Sequence, residues 1–347
     1  MISSGFGIES KDSVEAINSI DSDQEPLSRE VPLLSATSVI LCILLIATDV
    51  GRTCVSYSMR HFNDGVYPVD TTIVVTVNEL FKATLVIGLH LFFDGDNPFK
   101  HLDARIALPC LLYAFTNNLF FLALHYITPA TWLVLCQMRV VILLLIYRIF
   151  LKQRITATQY IGGLTLIAGV GLAQIDVGAD FSTILGPVLG VAVLNSLFSA
   201  TAGVFTEVVL KRGGDAGMWR NQTHLYCGSA LISLLPALVS RFVFERKAFD
   251  YRKTPEVLTA LVLLTVVLTA FNGICVSFVM KKLDNIVRFQ VSAVTYIVTA
   301  GFNKFLFPKH FNPSSWYVMS IAVILFSVFL IEHKRNTPSQ NSPKRVG

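Results

Sequence analysis

Apolar residues run through this chain in blocks, and the polar residues gather in short clusters between them. Each block holds about 20 residues, which is what an α-helix needs to cross the ~30 Å hydrocarbon core of a bilayer. Ten spans are predicted, at about residues 33–57, 70–93, 105–125, 129–150, 157–175, 184–210, 222–240, 255–280, 286–306 and 314–332. The blocks are continuous rather than alternating, which excludes a transmembrane β-barrel. The expected fold class is an all-α integral membrane protein of about ten transmembrane helices.

Composition agrees. The chain is 53% hydrophobic and only 15% charged, with mean hydropathy +0.60; a soluble chain of this length carries far more charge. Residues 1–32 are polar and acidic, without the basic and apolar regions of a cleavable signal, and read as a disordered tail. Residues 333–347 form a second, basic tail. The net charge of +5 does not point to nucleic acid, because the basic residues are scattered singly.

An even number of spans puts both tails on one side. A cytosolic placement also makes cytosolic the loops with Lys100 and Arg105, Arg148, Lys152 and Arg154, Lys211, Arg212 and Arg220, and Lys281 and Lys282. The loop with Asp176 and Asp180 falls opposite, which is the positive-inside pattern. The loop 241–253 dissents, being basic on the lumenal side. The sequon at Asn221 lies at a cytosolic helix start in this topology, so a glycan there would overturn it.

Polar residues inside the apolar blocks narrow the chemistry. Arg139 lies about ten residues from either edge of its run, near the bilayer centre. A guanidinium there costs at least ~2.5–3.5 kcal/mol and normally faces a water-filled cavity. It cannot escape by losing its proton. Trp132, Cys136 and Arg139, spaced by four and three, share one stripe of a continuous helix, whereas Gln137 points elsewhere. Glu79 and Lys82 are three apart and can pair, either as a structural ion pair or as part of a site. Asn117 and Asn118 offer amides for helix contacts or for a nucleobase edge.

Glu207 ends a stripe with Ser199 and Gly203, which also reads as a packing face. Asp284 or Asn285 can cap the helix that carries Arg288 in its first turn. There Arg288 either snorkels to the headgroups or serves a site. The six cysteines lack metal-ligand spacing and read as small hydrophobes, with Cys136 set apart by its neighbours. His125 and His224 are isolated. No catalytic or nucleotide-loop motif stands out, so neither an enzyme nor a cofactor is expected.

A weak internal echo links the two halves. Span four carries Arg139 and is followed by a basic turn with Lys152 and Arg154; span nine carries Arg288 and is followed by Lys309 and His310. Two halves of five spans suit the repeat architecture of transporters.

Read together, these segments resemble the Golgi nucleotide-sugar transporter family, the group with the CMP-sialic acid, UDP-galactose and UDP-N-acetylglucosamine carriers. The strongest stretch is 113–140, YAFTNNLFFLAL then TPATWLVLCQMRV, beside the family's YALQNNLLYVAL and DAATYQVTYQLKI. NELFK at 78–82, SATAGVFTEVVLK at 199–211, WRN at 219–221 and DNIVR at 284–288 follow in family order. The resemblance implies that residues 33–332 form one ten-helix transporter domain of the drug/metabolite transporter fold, in two five-helix inverted repeats around a central cavity.

It also implies exchange of a cytosolic nucleotide sugar for a nucleoside monophosphate, in the Golgi membrane or alternatively that of the ER, with both termini cytosolic. Arg139 and Arg288 fall where the family has two cavity lysines, and Glu79, Asn117, Trp132, Glu207 and Asn221 fall on matching motif positions. Cys136 and Trp132 stand where the family has tyrosines, and Thr223 where it has a glutamine. Arginine is not a neutral replacement for lysine, because its planar fork can grip phosphate bidentately.

The candidate substrate-binding set is therefore Arg139, Arg288, Glu79, Lys82, Asn117, Asn118, Trp132, Gln137, Glu207, Asn221 and Asn285. Two arginines match two phosphates, which favours a UDP-sugar. A carrier of another phosphorylated anion, or a non-transporting scaffold of the same fold, are the alternatives. A homodimer is compatible with this reading.

Overall fold

The computed structural model describes residues 35–99, 106–149, 155–175, 186–212, 218–283, 285–309 and 313–333. Residues 1–34 and 334–347, Lys100, Arg105, Lys152, Arg154, Asp176, Asp180, Asp284 and His310 lie outside the described residues.

The described chain is helical: α1 (Ala36–His61), α2 (Thr71–Phe93), α3 (Ala107–Tyr126), α4 (Pro129–Leu135), α5 (Met138–Ile149), α6 (Ala157–Ile175), α7 (Gly186–Arg212), α8 (Met218–Phe242), α9 (Pro255–Lys282), α10 (Asn285–Leu306) and α11 (Ser315–His333). Taking α4 and α5 together as Pro129–Ile149, seven helices among the described residues are long and apolar enough to cross a membrane. The apolar stretches Ala157–Ala173 and Ser315–Ile331 are shorter. Helix α10 has the length, at 22 residues, but carries Asn285, Arg288, Gln290, Asn303 and Lys304, which lower its hydropathy.

Helix starts follow local chemistry. Ser35 caps α1 by accepting from Ser38 N at 3.2 Å. Asp70 caps α2 through Thr72 N at 2.9 Å, and Thr128 with Pro129 opens α4. The outer surface is apolar: Leu231, Leu164, Phe302 and Phe326 are exposed, whereas Asn63, Glu79, Gln137, Gln222 and Asn285 are buried. That inversion is what a lipid solvent selects.

Packing is pairwise. Helix α1 packs on α9, α3 on α7, α2 on α8 and α6 on α11. Weaker contacts join α5 to α7, α10 to α1, α3 to α8 and α2 to α9. Small residues permit the closest approaches: a Cβ on Gly162 would fall 2.8 Å from Ile331, and one on Gly169 would fall 2.8 Å from Ile324.

The fourth span departs from the continuous helix expected from its sequence. It breaks at Cys136 and Gln137, where the hydrogen bonds tighten: Gln137 N donates to Val134 O at 2.9 Å and Arg139 N to Cys136 O at 3.1 Å. Neither glycine nor proline lies at the break. Side chains satisfy the disturbed backbone instead, which is the condition for irregular structure at membrane depth. Gln137 Nε2 donates to Leu133 O at 3.3 Å and reaches across to Ser292 O of α10 at 3.2 Å.

At one end of the bundle the α1–α2 and α8–α9 connections are clasped together. Val69 and Phe249 form an isolated antiparallel bridge, and Asp70 N donates to Ala248 O at 3.0 Å. Buried Asn63 donates to Asp250 O at 2.7 Å and accepts from Arg252 N at 2.7 Å. Lys253 lies 2.9 Å from Asp64. The basic loop that dissents from the charge rule is thus a docked element, with part of its charge paired.

Candidate functional site

A cavity opens among α1, α2, α3, α4, α5, α7, α8, α9 and the start of α10. The space between its walls, with the solvent open at its mouth included, is about 910 Å³. Its wall is unusually polar for the interior of an apolar bundle, with Arg52, Glu79, Lys82, Tyr113, Asn117, Trp132, Arg139, Asn195, Tyr226, Ser277 and Arg288 among its residues.

Helix α2 supplies Glu79 and Lys82, which form a buried ion pair one turn apart. The same Glu79 oxygen accepts from Asn117 Nδ2 of α3 at 2.7 Å, so one carboxylate fixes a lysine and an amide together. Lys82 Nζ lies 5.0 Å from the centre of the Tyr226 ring. Gly273 lets α9 approach this group, because a Cβ there would fall 2.7 Å from Tyr226 Oη.

Arg139 hangs from the break in the fourth span, its Nε donating to Cys136 O at 2.8 Å. Arg288 Nη1 reaches Tyr113 Oη at 3.4 Å. Trp132 is 2% exposed and gives the cavity an aromatic wall. Cys136 is fully buried, its sulfur accepting from Asn195 Nδ2 at 3.5 Å, so a cavity residue is held by it.

Six residues of the sequence-derived set thus share one cavity: Glu79, Lys82, Asn117, Trp132, Arg139 and Arg288. Five fall outside its lining. Gln137 serves the break and the contact to Ser292. Asn118 Nδ2 donates to Ala114 O at 2.8 Å, within its own helix. Asn221 Nδ2 donates to Val209 O at 3.3 Å and lines a separate small pocket. Glu207 accepts from Tyr147 Oη at 2.8 Å and from the backbone N–H of Asn285 at 3.3 Å, so it caps α10 from a neighbouring helix. Asn285 is buried against Gly203, where a Cβ would fall 2.5 Å from its amide nitrogen.

One ion pair was not among the sequence-derived candidates. Asp49 Oδ1 accepts from Arg52 Nε at 2.8 Å, and Arg52 Nη2 lies 2.5 Å from the same oxygen. The Arg52 guanidinium sits 5.0 Å from the Phe120 ring centre. The signal was present: opposite charges three apart inside an apolar block, the same spacing as Glu79 and Lys82.

Charge decides what the cavity can hold. Among the described lining residues, four cations (Arg52, Lys82, Arg139, Arg288) face one carboxylate, Glu79. Asp49 behind Arg52 supplies a second. The remaining surplus of positive charge in a water-poor bundle favours an anion. Among the described residues no group of three or more His, Cys, Asp and Glu could hold a metal ion.

A family model described as nucleotide-sugar transporter matches residues 34–332. The chain belongs to the nucleotide-sugar transporter family. Among its relatives is a UDP-galactose/UDP-N-acetylglucosamine transporter of Caenorhabditis elegans, 23% identical over 84% of this chain and 81% of its own length. A CMP-sialic acid transporter of Arabidopsis thaliana is 26% identical over 77% and 82%. The Drosophila melanogaster UDP-galactose transporter senju is 24% identical over 84% and 85%. A solved crystal structure superposes with TM-score 0.58 at 15% identity, covering 87% of this chain and 99% of its own; that likeness is one of fold.

This nucleotide-sugar transporter family member is accordingly a multi-pass membrane protein whose relatives are carriers rather than enzymes. The relatives differ in base and sugar, so membership does not name a particular nucleotide sugar.

Proposed function

We propose that this protein is a nucleotide-sugar antiporter of the Golgi membrane, importing a cytosolic nucleotide sugar in exchange for a nucleoside monophosphate. The carrying observation is the surplus of guanidinium and ammonium charge lining one cavity inside an apolar bundle. Arg139 and Arg288 would hold the phosphates, which favours a UDP-sugar with its two phosphoryl groups. Trp132 offers a stacking face, and Asn117, fixed by Glu79, offers an amide for a polar edge.

The helix pairing supports two repeats of five spans. With α4 and α5 counted as one span, exchanging the first five spans for the last five turns the α1–α9 contact into the α3–α7 contact. The same exchange turns α5–α7 into α1–α10 and α3–α8 into α2–α9, and leaves α2–α8 and α6–α11 unchanged. An odd number of spans per half inverts the second half, as in other secondary transporters. With both tails cytosolic, the clasp between the α1–α2 and α8–α9 connections lies on the lumenal side, and alternating access requires it to open. Exchange follows because crossing with the cavity empty leaves its cations uncompensated in the membrane.

Proteoliposomes loaded in turn with UMP, CMP or GMP test this. Uptake of a nucleotide sugar that rises when its own monophosphate is inside supports antiport and names the base. Absence of uptake for every nucleotide sugar, with uptake of another phosphorylated anion, overturns it.

A further inference from the structure

We infer that the Asp49–Arg52 pair is the part of the cavity that reads the sugar of the substrate, and that it selects an uncharged one. The inference rests on the nucleotide-sugar reading above.

Its first support is position along the membrane normal. Cys54 Sγ of α1 lies 4.0 Å from Asn303 Oδ1 of α10, whereas Gln137 of the fourth span meets Ser292 of the same helix. From Ser292 to Asn303 is roughly 16 Å along a helix axis. Arg52 stands two residues from the first of these levels and Arg139 two residues from the second, so their backbones are well separated.

Their head groups, however, converge. Helix α1 runs parallel to α10: its start shares an apolar cluster with Val287 and Val291, and its later residue Cys54 lies by Asn303. Helix α5 runs the other way, with Gln137 at Ser292 and Tyr147 on the Glu207 that caps Asn285. Each arginine leans back three residues along its own helix, Arg52 to Asp49 and Arg139 to Cys136. Because the helices are antiparallel, the two guanidiniums lean towards each other across the gap. Arg288, in the first turn of α10, lies on the far side of Arg139 from Arg52; with the nucleoside-linked phosphate at Arg288 and the other at Arg139, the sugar extends towards Arg52. Trp132, five residues before Gln137, lies on that side too and lines the same cavity.

The second support is charge. Arg52 spends its contacts to Asp49 on one carboxylate oxygen. Its side chain is 23% exposed, against 8% for Lys82. A guanidinium has five N–H donors, and Arg52 has no other hydrogen-bond partner among the described residues. The pair therefore presents directional donors with its net charge cancelled. Sugar hydroxyls suit such donors; a carboxylate on the sugar would find the charge of Arg52 already offset by Asp49 behind it.

Competition binding to purified, full-length protein tests this, with UMP, UDP, UDP-glucose and UDP-glucuronate as probes, or the same series on whichever base the protein takes. The wild type is expected to prefer UDP-glucose to UDP-glucuronate. Asp49→Asn uncovers the arginine charge and should shift that ratio towards glucuronate by about tenfold or more. The uncharged double variant Asp49→Ala with Arg52→Ala leaves no orphan charge in the bilayer. It should erase the advantage of UDP-glucose over UDP. Unchanged ratios in both variants, whatever happens to folding yield or absolute affinity, overturn the inference, because a purely structural ion pair moves all four probes together. Absence of binding of any nucleotide to the wild type overturns the transporter reading and this one with it.

Discussion

Arg139 donates from its Nε to the carbonyl of Cys136 at 2.8 Å, so the charge that lines the cavity also satisfies the backbone at the break of its own helix. The break and the cation are one unit. Lysine keeps the charge but has neither the fork nor the Nε that makes this bond. Arg139→Lys is therefore expected to retain a folded protein and to lower exchange by about tenfold, the cost of one charge-assisted hydrogen bond. Initial uptake rates normalised to reconstituted protein measure this; wild-type rates would show that the fork is irrelevant.

Gln137 is expected to behave as scaffold. It is buried, bonds Leu133 and Ser292, and stands outside the cavity lining. Replacing it by leucine leaves the Leu133 carbonyl at the break short of a donor and removes the cross-helix bond to Ser292 O, at about 1–3 kcal/mol, with a smaller value favoured inside membranes. The expected signature is a lower melting temperature in detergent with nucleotide affinity within about twofold of wild type. Lost affinity at unchanged melting temperature would return Gln137 to the binding site.

Gly203 sets how closely α7 meets the start of α10. An alanine methyl there would lie 2.5 Å from the Asn285 amide nitrogen. Overpacking of this kind costs about 1–3 kcal/mol. Gly203→Ala should lower the melting temperature, and Asn285→Gly in the same chain should recover part of the loss. Failure of the second change to help would place the strain elsewhere.

Asn63 ties the α1–α2 connection to the basic loop before α9 by bonds to Asp250 and Arg252. Asn63→Ala removes both, and the arginines and lysines of residues 241–253 should become cleavable by trypsin several-fold faster, as expected when opening is governed by lost hydrogen bonds. Equal cleavage of both proteins would mean that the bridge at Val69 and Phe249 suffices to hold the clasp.

Much of the fold was legible because apolar length is a strong signal in lipid. The expected span 70–93 is the helix Thr71–Phe93, and 157–175 is Ala157–Ile175. The break in the fourth span was not legible: it rests on Gln137 finding Ser292, 155 residues away. The lining of the cavity was legible in part. Asn117 lines the cavity and Asn118 does not; Arg139 does and Gln137 does not. Which way each polar side chain faces depends on helix rotation and on the break, and both are set by packing. Glu207 shows the same limit, since its partners Tyr147 and Asn285 lie on other helices.

The central claim is that a cationic cavity carries a nucleotide sugar by exchange, and Arg139→Ala tests it most directly. Wild type and variant, matched for insertion and melting temperature, are reconstituted with and without internal nucleoside monophosphate, and uptake of the labelled nucleotide sugar is followed. The expected result is uptake by the wild type that depends on the internal monophosphate, and none by the variant. Equal uptake by both proteins, or wild-type uptake indifferent to what is inside, would contradict the account.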